Sequence, residues 1–94
     1  PTERGVEVGQ KIAAKGGNVV DIAVAVQLAL GVTSPYYASL GGGAFAMIRM
    51  GNAAPEALDF REVAPIMTHQ NFYKDKDEKA PIIGPLAIGV PGIA

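Results

Sequence analysis

Hydrophobic positions in the first part of the chain follow a helical period until two glycines interrupt it. Val8 and Ile12 share one face of residues 4–15, which predicts a short amphipathic helix. Gly16 and Gly17 follow this pattern, and glycine takes the left-handed position after a helix without a Cβ penalty. The sequence therefore predicts a helix that ends at this glycine pair.

The next apolar stretch is longer and predicts a second helix over residues 19–30. Asn18 is the expected N-cap, and Asp21 follows where the acid of a capping box belongs. The stretch is apolar nearly all round, so we expect a buried helix. Pro35 stops it, because the residue before a proline avoids helical backbone angles.

Shorter apolar runs, bounded by turn residues, predict strands. The first covers residues 44–50 and the second covers Glu56–Phe60, which we expect to run antiparallel to the first. Apolar residues on both faces predict a sheet that is covered on two sides. Residues 85–90 predict a third strand. The order of elements predicts an α/β (α+β) fold, in which two helices pack on a mostly antiparallel sheet.

Three consecutive glycines, Gly41 to Gly43, precede the first predicted strand. A phosphate-binding loop needs such glycines between a strand and the N-terminus of a helix. Here a strand follows them, and no Lys-Ser or Lys-Thr pair is present. Close backbone packing, or a turn that needs a positive φ, explains the glycines better.

Residues 66–80 are polar, and their charges alternate in sign over residues 74–79, which predicts a solvated loop. His69, the single histidine of the chain, lies in this loop. No second histidine or acid stands at a metal-ligand spacing from it. A surface histidine is therefore favoured over a metal site or a general base.

Composition argues against several classes of partner. The 94 residues are enough for one small domain at most. A net charge of −1 argues against nucleic acid and anionic membranes, and no apolar run is long enough for a membrane span. Because 49% of the residues are hydrophobic, we expect part of the surface to lie against another polypeptide. Residues 90–94 resemble the start of a helix, so we expect residues 1–94 to be a single partial domain.

Five stretches of the chain resemble γ-glutamyltranspeptidases in their order and separation. They are GVEVGQKIAAKGGN (5–18), GGNVVDIAVAV (16–26), SLGGGAF (39–45), LDFREVAP (58–65) and GPLAIGVPG (84–92). Each stretch alone is a weak signal, whereas the ordered set is specific and covers nearly the whole chain. Ala44 stands where the family often has a fourth glycine, and Gln27 interrupts an otherwise alanine-rich helix.

The resemblance implies an N-terminal nucleophile hydrolase fold, which is a four-layer αββα sandwich. It also implies a precursor that cleaves itself into a large and a small subunit. The nucleophile is then the N-terminal threonine of the small subunit, outside this chain, and Thr2, Thr33 and Thr68 do not match its motif. The implied substrate is a γ-glutamyl amide such as glutathione, which passes its γ-glutamyl group to the threonine and then to water or an acceptor.

The implied partners are the remainder of the large subunit and the small catalytic subunit. No metal or organic cofactor is implied. The resemblance also points to the periplasm or the cell exterior.

Arg61 is the predicted substrate-binding residue, because the arginine of the matching FRExAP motif in the family binds the α-carboxylate of the γ-glutamyl donor. A guanidinium can grip a carboxylate through two parallel hydrogen bonds. Strand alternation places Asp59 on the same side as Arg61 and Glu62 on the other side. We expect one neighbouring acid to orient the guanidinium and to leave part of it free.

Other interpretations stay open at this point. In the first, Asp59 or Glu62 saturates Arg61, which then has no further role; the residues alone favour this interpretation, and the resemblance reverses it. A related N-terminal nucleophile acylase is a second alternative. The third is a catalytically inactive fragment that self-associates through its apolar faces, giving a homo-oligomer.

Overall fold

The computed structural model describes residues 2–77 and 82–93. Two helices are followed by two strands and a short 3₁₀ turn. Their bounds are α1 Glu3–Ala14, α2 Val19–Thr33, β1 Ala44–Ile48, β2 Glu56–Phe60 and the 3₁₀ turn Pro85–Ala87. The predicted order of helix, helix, strand and strand is therefore confirmed.

The two helices pack against each other as a hairpin, and glycines bring them close together. Gly5 and Gly9 are the buried residues of α1. A Cβ on Gly5 would lie 3.1 Å from Leu30 Cδ2, and one on Gly9 would lie 3.1 Å from Val26 Cγ2. At these two positions the α1 backbone therefore rests directly on α2 side chains and leaves little room for a side chain of its own.

The connection between the helices has the predicted caps. Gly16 takes a φ of +85° after α1. Asn18 Oδ1 accepts hydrogen bonds from the backbone N–H groups of Val20 at 2.8 Å and Asp21 at 3.1 Å. Asp21 Oδ2 in turn accepts from Asn18 N at 2.9 Å, which completes the capping box.

The strands β1 and β2 form an antiparallel pair in which Ala44 faces Phe60 and Ala46 faces Leu58. These four side chains share one face of the sheet, because directly opposed residues point the same way. A groove of about 660 Å³ lies between this face and α2, and apolar residues line most of it. The sequence predicts that the helices pack on the sheet. In the described residues, an open groove separates α2 from the sheet face instead.

The predicted third strand over residues 85–90 is wrong. Pro85 begins a 3₁₀ turn instead, after Gly84 with a φ of +99°. Only Val90 pairs, through a single antiparallel bridge to Val63. Pro85 and Pro91 cannot donate backbone hydrogen bonds to a partner strand, so pairing is confined to the residues between them.

The predicted burial of α2 and of both sheet faces is also wrong for the described residues. None of their hydrophobic side chains is fully buried, and no residue of α2 is buried. On the side of β1 opposite Ala44 and Ala46, Phe45 is 69% exposed and Met47 is 78% exposed. One helical neighbour and a two-stranded sheet cover too little area to bury these apolar residues. Among the described helices, none is both long and apolar enough to cross a membrane.

Candidate functional site

Arg61 follows the last residue of β2, and its backbone is fixed there. Its N–H donates a hydrogen bond to Asp59 Oδ1 at 3.0 Å. Its side chain extends into solvent and is 62% exposed. The backbone of Arg61 is therefore held at the end of a strand while its guanidinium remains accessible to solvent. The sequence predicts this combination.

The acid that holds the guanidinium is Glu62. Arg61 Nη1 donates to Glu62 Oε2 at 2.5 Å. Strand alternation favours Asp59 as the same-side neighbour, but β2 ends at Phe60 and the Asp59 carboxylate accepts the backbone N–H of Arg61. The choice between the two acids, which the sequence leaves open, is therefore made by the turn after the strand.

The guanidinium of Arg61 is only partly engaged. Within residues 2–77 and 82–93, its Nε and Nη2 atoms make no hydrogen bond. A guanidinium carries five N–H donors, so one Nη1 contact leaves donors for a second carboxylate. Within the described residues, the neighbouring acids therefore do not saturate the Arg61 guanidinium.

Glu62 is held as an ionised carboxylate. The hydrogen bond from its own backbone N–H lowers the pKa of this carboxyl group below 4.5, while partial desolvation acts in the opposite direction. The positive charge of Arg61 and a hydrogen bond from the backbone N–H of Gly43 lower the pKa further. Glu62 therefore carries its negative charge at neutral pH.

Gly43 and Gly92 lie against the backbone of this turn, and Gly42 lies next to the Glu62 side chain; we call these three glycines the glycine platform. A Cβ on Gly43 would lie 2.5 Å from Glu62 N and 2.6 Å from Phe60 O, and a Cβ on Gly92 would overlap the same carbonyl oxygen. The Gly42 carbonyl accepts from Gly92 N at 3.1 Å. Gly43 and Gly92 thus leave no space for a side chain.

None of Gly41, Gly42 and Gly43 has a positive φ. Of the two explanations that the sequence offers for these glycines, close backbone packing is therefore the one the structure shows. Of the three, Gly43 is the one that approaches the backbone of the turn that carries Arg61.

Residues 5–94 match the family model described as "Gamma-glutamyltranspeptidase". The chain belongs to the γ-glutamyltranspeptidase family. It is similar to the "Glutathione hydrolase proenzyme" of Escherichia coli (strain K12), with 44% identity over 90 residues. That match covers 92% of this chain but 16% of the relative, so the chain spans a small part of the length of this curated relative.

Solved structures of the family have the same fold. The γ-glutamyltranspeptidase of Helicobacter pylori aligns with a TM-score of 0.91 and 43% identity, covering 98% of this chain and 28% of that chain. The Bacillus anthracis transpeptidase enzyme CapD aligns with a TM-score of 0.71 and 29% identity, covering 98% of this chain and 26% of that chain. The predicted N-terminal nucleophile hydrolase fold is confirmed by this likeness.

The remaining residues considered from the sequence do not join this site. Thr2 and Thr33 hydrogen-bond to each other through their hydroxyls at 2.9 Å, across the open ends of the helical hairpin. His69 packs edge-on to Phe72, with ring centroids 5.9 Å apart. Over the described part of the chain, no group of three or more histidines, cysteines or acids is placed to hold a metal ion.

Sequence reasoning missed the link between Gly43 and Glu62. The sequence predicts close backbone packing for the glycines but does not indicate which backbone they approach. These two residues are far apart along the chain, and no local pattern signals that they meet. The bridge between Val63 and Val90 and the bond from Gly92 N to Gly42 bring them together.

Proposed function

We propose that this chain is the early part of the large subunit of a γ-glutamyltransferase or glutathione hydrolase, and that Arg61 binds the α-carboxylate of the γ-glutamyl donor. The relatives that support this are named glutathione hydrolases and γ-glutamyltranspeptidases. The observation that carries it is the half-engaged guanidinium at the end of β2. Its free donors match the two oxygens of a carboxylate.

The chemistry of the reaction lies outside the described residues. The hydroxyl of an N-terminal threonine attacks the γ-carbonyl carbon, and the α-amino group of the same threonine accepts the hydroxyl proton. The amine then leaves with a proton, and a γ-glutamyl ester remains on the threonine. Water or an acceptor amine attacks this ester and restores the free hydroxyl.

Arg61 contributes to this reaction by positioning the γ-glutamyl donor. The α-carboxylate and the γ-carbonyl stand at opposite ends of the glutamyl group, so a grip on the first limits where the second can lie. Such orientation accelerates attack, because the reacting atoms no longer need to find each other. A cation on a strand end is a better anchor for this purpose than one on a long mobile loop.

The test is Arg61→Lys in a complete γ-glutamyltranspeptidase that carries this segment. Lysine keeps the charge but loses the two-pronged grip, so we expect kcat/KM for γ-glutamyl-p-nitroanilide to fall by about 10- to 100-fold, the equivalent of roughly 1.5–3 kcal/mol. A donor without the α-carboxylate, 4-aminobutyryl-p-nitroanilide, should lose much less. Arg4→Lys, on the exposed face of α1, is the matched control. Equal losses with both donors would show that Arg61 supports folding instead.

A related acylase is the second candidate, and the likeness to CapD at a TM-score of 0.71 favours keeping it. The same assay separates the two, because an enzyme for another acyl group would use γ-glutamyl-p-nitroanilide poorly before any substitution is made. The third candidate is an inactive, self-associating chain, which the exposure of Phe45 and Met47 favours. The mass of residues 1–94 in solution, measured by light scattering, distinguishes a monomer from an assembly.

A further inference from the structure

The backbone N–H of Arg61 is the first donor beyond the strand ladder. Ala44 and Phe60 form the last pair between β1 and β2, so the next residue along β2 lies outside the ladder. Its N–H donates to Asp59 Oδ1 at 3.0 Å, two residues back along the chain. Over residues 2–77 and 82–93, this is the hydrogen bond that the Arg61 N–H makes. In such an Asx turn, a side-chain oxygen takes the place of a backbone carbonyl.

Asp59 and two glycines contact different atoms of the Arg61 backbone. A Cβ on Gly43 would lie 2.8 Å from Arg61 C, and one on Gly92 would lie 3.0 Å from Arg61 O. The carbonyl end of the residue is therefore placed by close backbone packing. The N–H end is placed by Asp59, whose side chain lies on the same side of the sheet as that of Phe45, its directly opposed partner. One side-chain hydrogen bond thus completes the restraint on the backbone that carries the guanidinium.

We propose that Asp59 is a positioning residue for donor recognition, which sets the direction of the Arg61 side chain through the hydrogen bond to the Arg61 N–H. This inference rests on the proposed role of Arg61 as the group that binds the α-carboxylate. A small rotation of the backbone is amplified along the long arginine side chain, so an unrestrained N–H would displace the guanidinium from the substrate.

The proposed role depends on an acceptor oxygen and not on the charge of Asp59. Its carboxylate accepts from the backbone of Arg61, while the guanidinium donates to Glu62. An asparagine side chain offers the same Oδ1 acceptor without the charge. Asparagine should therefore replace Asp59 in this role, whereas alanine should not.

The experiment compares Asp59→Ala with Asp59→Asn in a complete γ-glutamyltranspeptidase that carries this segment. For Asp59→Ala, we expect KM for γ-glutamyl-p-nitroanilide to rise about fivefold with little change in kcat, because one hydrogen bond that orients the binding group is lost. The KM for 4-aminobutyryl-p-nitroanilide should stay within about twofold, because that donor has no α-carboxylate for Arg61 to grip. Asp59→Asn should stay within about twofold of the parent enzyme for both donors. Glu56→Ala, which removes an exposed acid from the other end of β2, is the matched control and should alter neither KM.

The outcomes separate this inference from the proposed function. If Arg61→Lys discriminates between the donors and Asp59→Ala does not, Arg61 binds the carboxylate without help from Asp59 and the inference is overturned. If Asp59→Asn loses as much as Asp59→Ala, the charge acts and not the hydrogen bond, and the inference is again overturned. If Asp59→Ala raises both KM values equally and lowers the melting temperature, its role is structural, which also overturns the inference. If Arg61→Lys itself fails to discriminate, the proposed function falls.

A further variant keeps the test decisive should Asp59→Ala not fold. In Asp59→Ser a hydroxyl can accept the same bond, but more weakly than a carboxylate or an amide oxygen. The KM for γ-glutamyl-p-nitroanilide, divided by that for 4-aminobutyryl-p-nitroanilide, should then be higher in Asp59→Ser than in Asp59→Asn. Equal ratios in these two variants would overturn the inference.

Discussion

Two arginine–glutamate pairs in this molecule use the same atoms and differ in what holds the acid. Arg4 Nη1 meets Glu7 Oε2 at 3.1 Å on the outer face of α1, and the two side chains are 75% and 41% exposed. Arg61 Nη1 meets Glu62 Oε2 at 2.5 Å beside the glycine platform, where the backbone N–H groups of Glu62 and Gly43 lower the pKa of the acid. A glutamate beside closely packed backbone is better placed to order its arginine than one on an open helix face, where both side chains must be ordered together.

The largest expected effect, on both stability and donor discrimination, comes from a substitution at Gly43 of the glycine platform. In Gly43→Ala the new Cβ would lie 2.5 Å from Glu62 N, so the turn after β2 must move. Overpacking of this kind costs about 1–3 kcal/mol, and we expect a clear fall in melting temperature of the complete enzyme together with a loss of donor discrimination. Thermal unfolding and the two-donor assay measure these effects.

Gly41→Ala is the control for that substitution. A Cβ on Gly41 would meet only Ser39 Oγ, at an ordinary contact distance of 3.6 Å. Stability and donor discrimination should therefore stay near those of the parent protein. If Gly43→Ala behaved like Gly41→Ala, the glycine platform would have no part in holding Glu62.

A smaller effect is expected in the pH dependence of stability. The pKa of Glu62 is lowered in the folded chain from an ordinary value of 4.5, chiefly by its own backbone N–H and then by the Arg61 charge. Its contribution is therefore fully present above pH 4.5 and is lost as the pH falls through the lower folded pKa. The stability difference between the parent protein and Glu62→Gln should shrink on acidification, when measured by denaturant unfolding between about pH 7 and pH 3.

The pair on α1 provides the reference for this titration. Glu7 is exposed and paired only through a side chain, so the difference between the parent and Glu7→Gln should be small across the same range. A Glu62→Gln difference that did not change with pH would contradict the anchoring of an ionised Glu62.

The helices were predictable because their determinants are local. Asn18 and Asp21 cap α2 through hydrogen bonds to residues two or three positions away, and Gly16 ends α1 through its own φ. Such interactions can be read from the order of residues alone. The antiparallel pairing of β1 with β2 was predictable for a similar reason, since a short turn separates the two strands.

The wrong predictions share a dependence on what lies around a segment. Residues 85–90 are apolar enough for a strand, but the two flanking prolines and the 3₁₀ turn leave Val90 alone to pair. The α2 helix has the composition of a buried helix, yet the described residues cover only part of it. The hydrophobicity of a segment indicates that it needs to be buried, but it does not indicate which other part of the protein buries it.

The candidate site was predictable in part. The proposed role of Arg61 comes from the resemblance of residues 58–65, because on the residues alone an ordinary ion pair was the favoured reading. The choice of Glu62 over Asp59 depends on where β2 ends, and the Gly43 contact depends on a long-range approach of backbones. Neither is encoded in the spacing of nearby residues.

The most direct measurement is a crystal structure of a complete γ-glutamyltranspeptidase that carries this segment, with L-glutamate bound. We expect the α-carboxylate to lie about 2.7–2.9 Å from Nε and Nη2 of Arg61, while Nη1 stays on Glu62. A glutamate whose α-carboxylate is bound elsewhere, with the Arg61 guanidinium fully engaged by Asp59 and Glu62, would contradict the proposed role of this arginine.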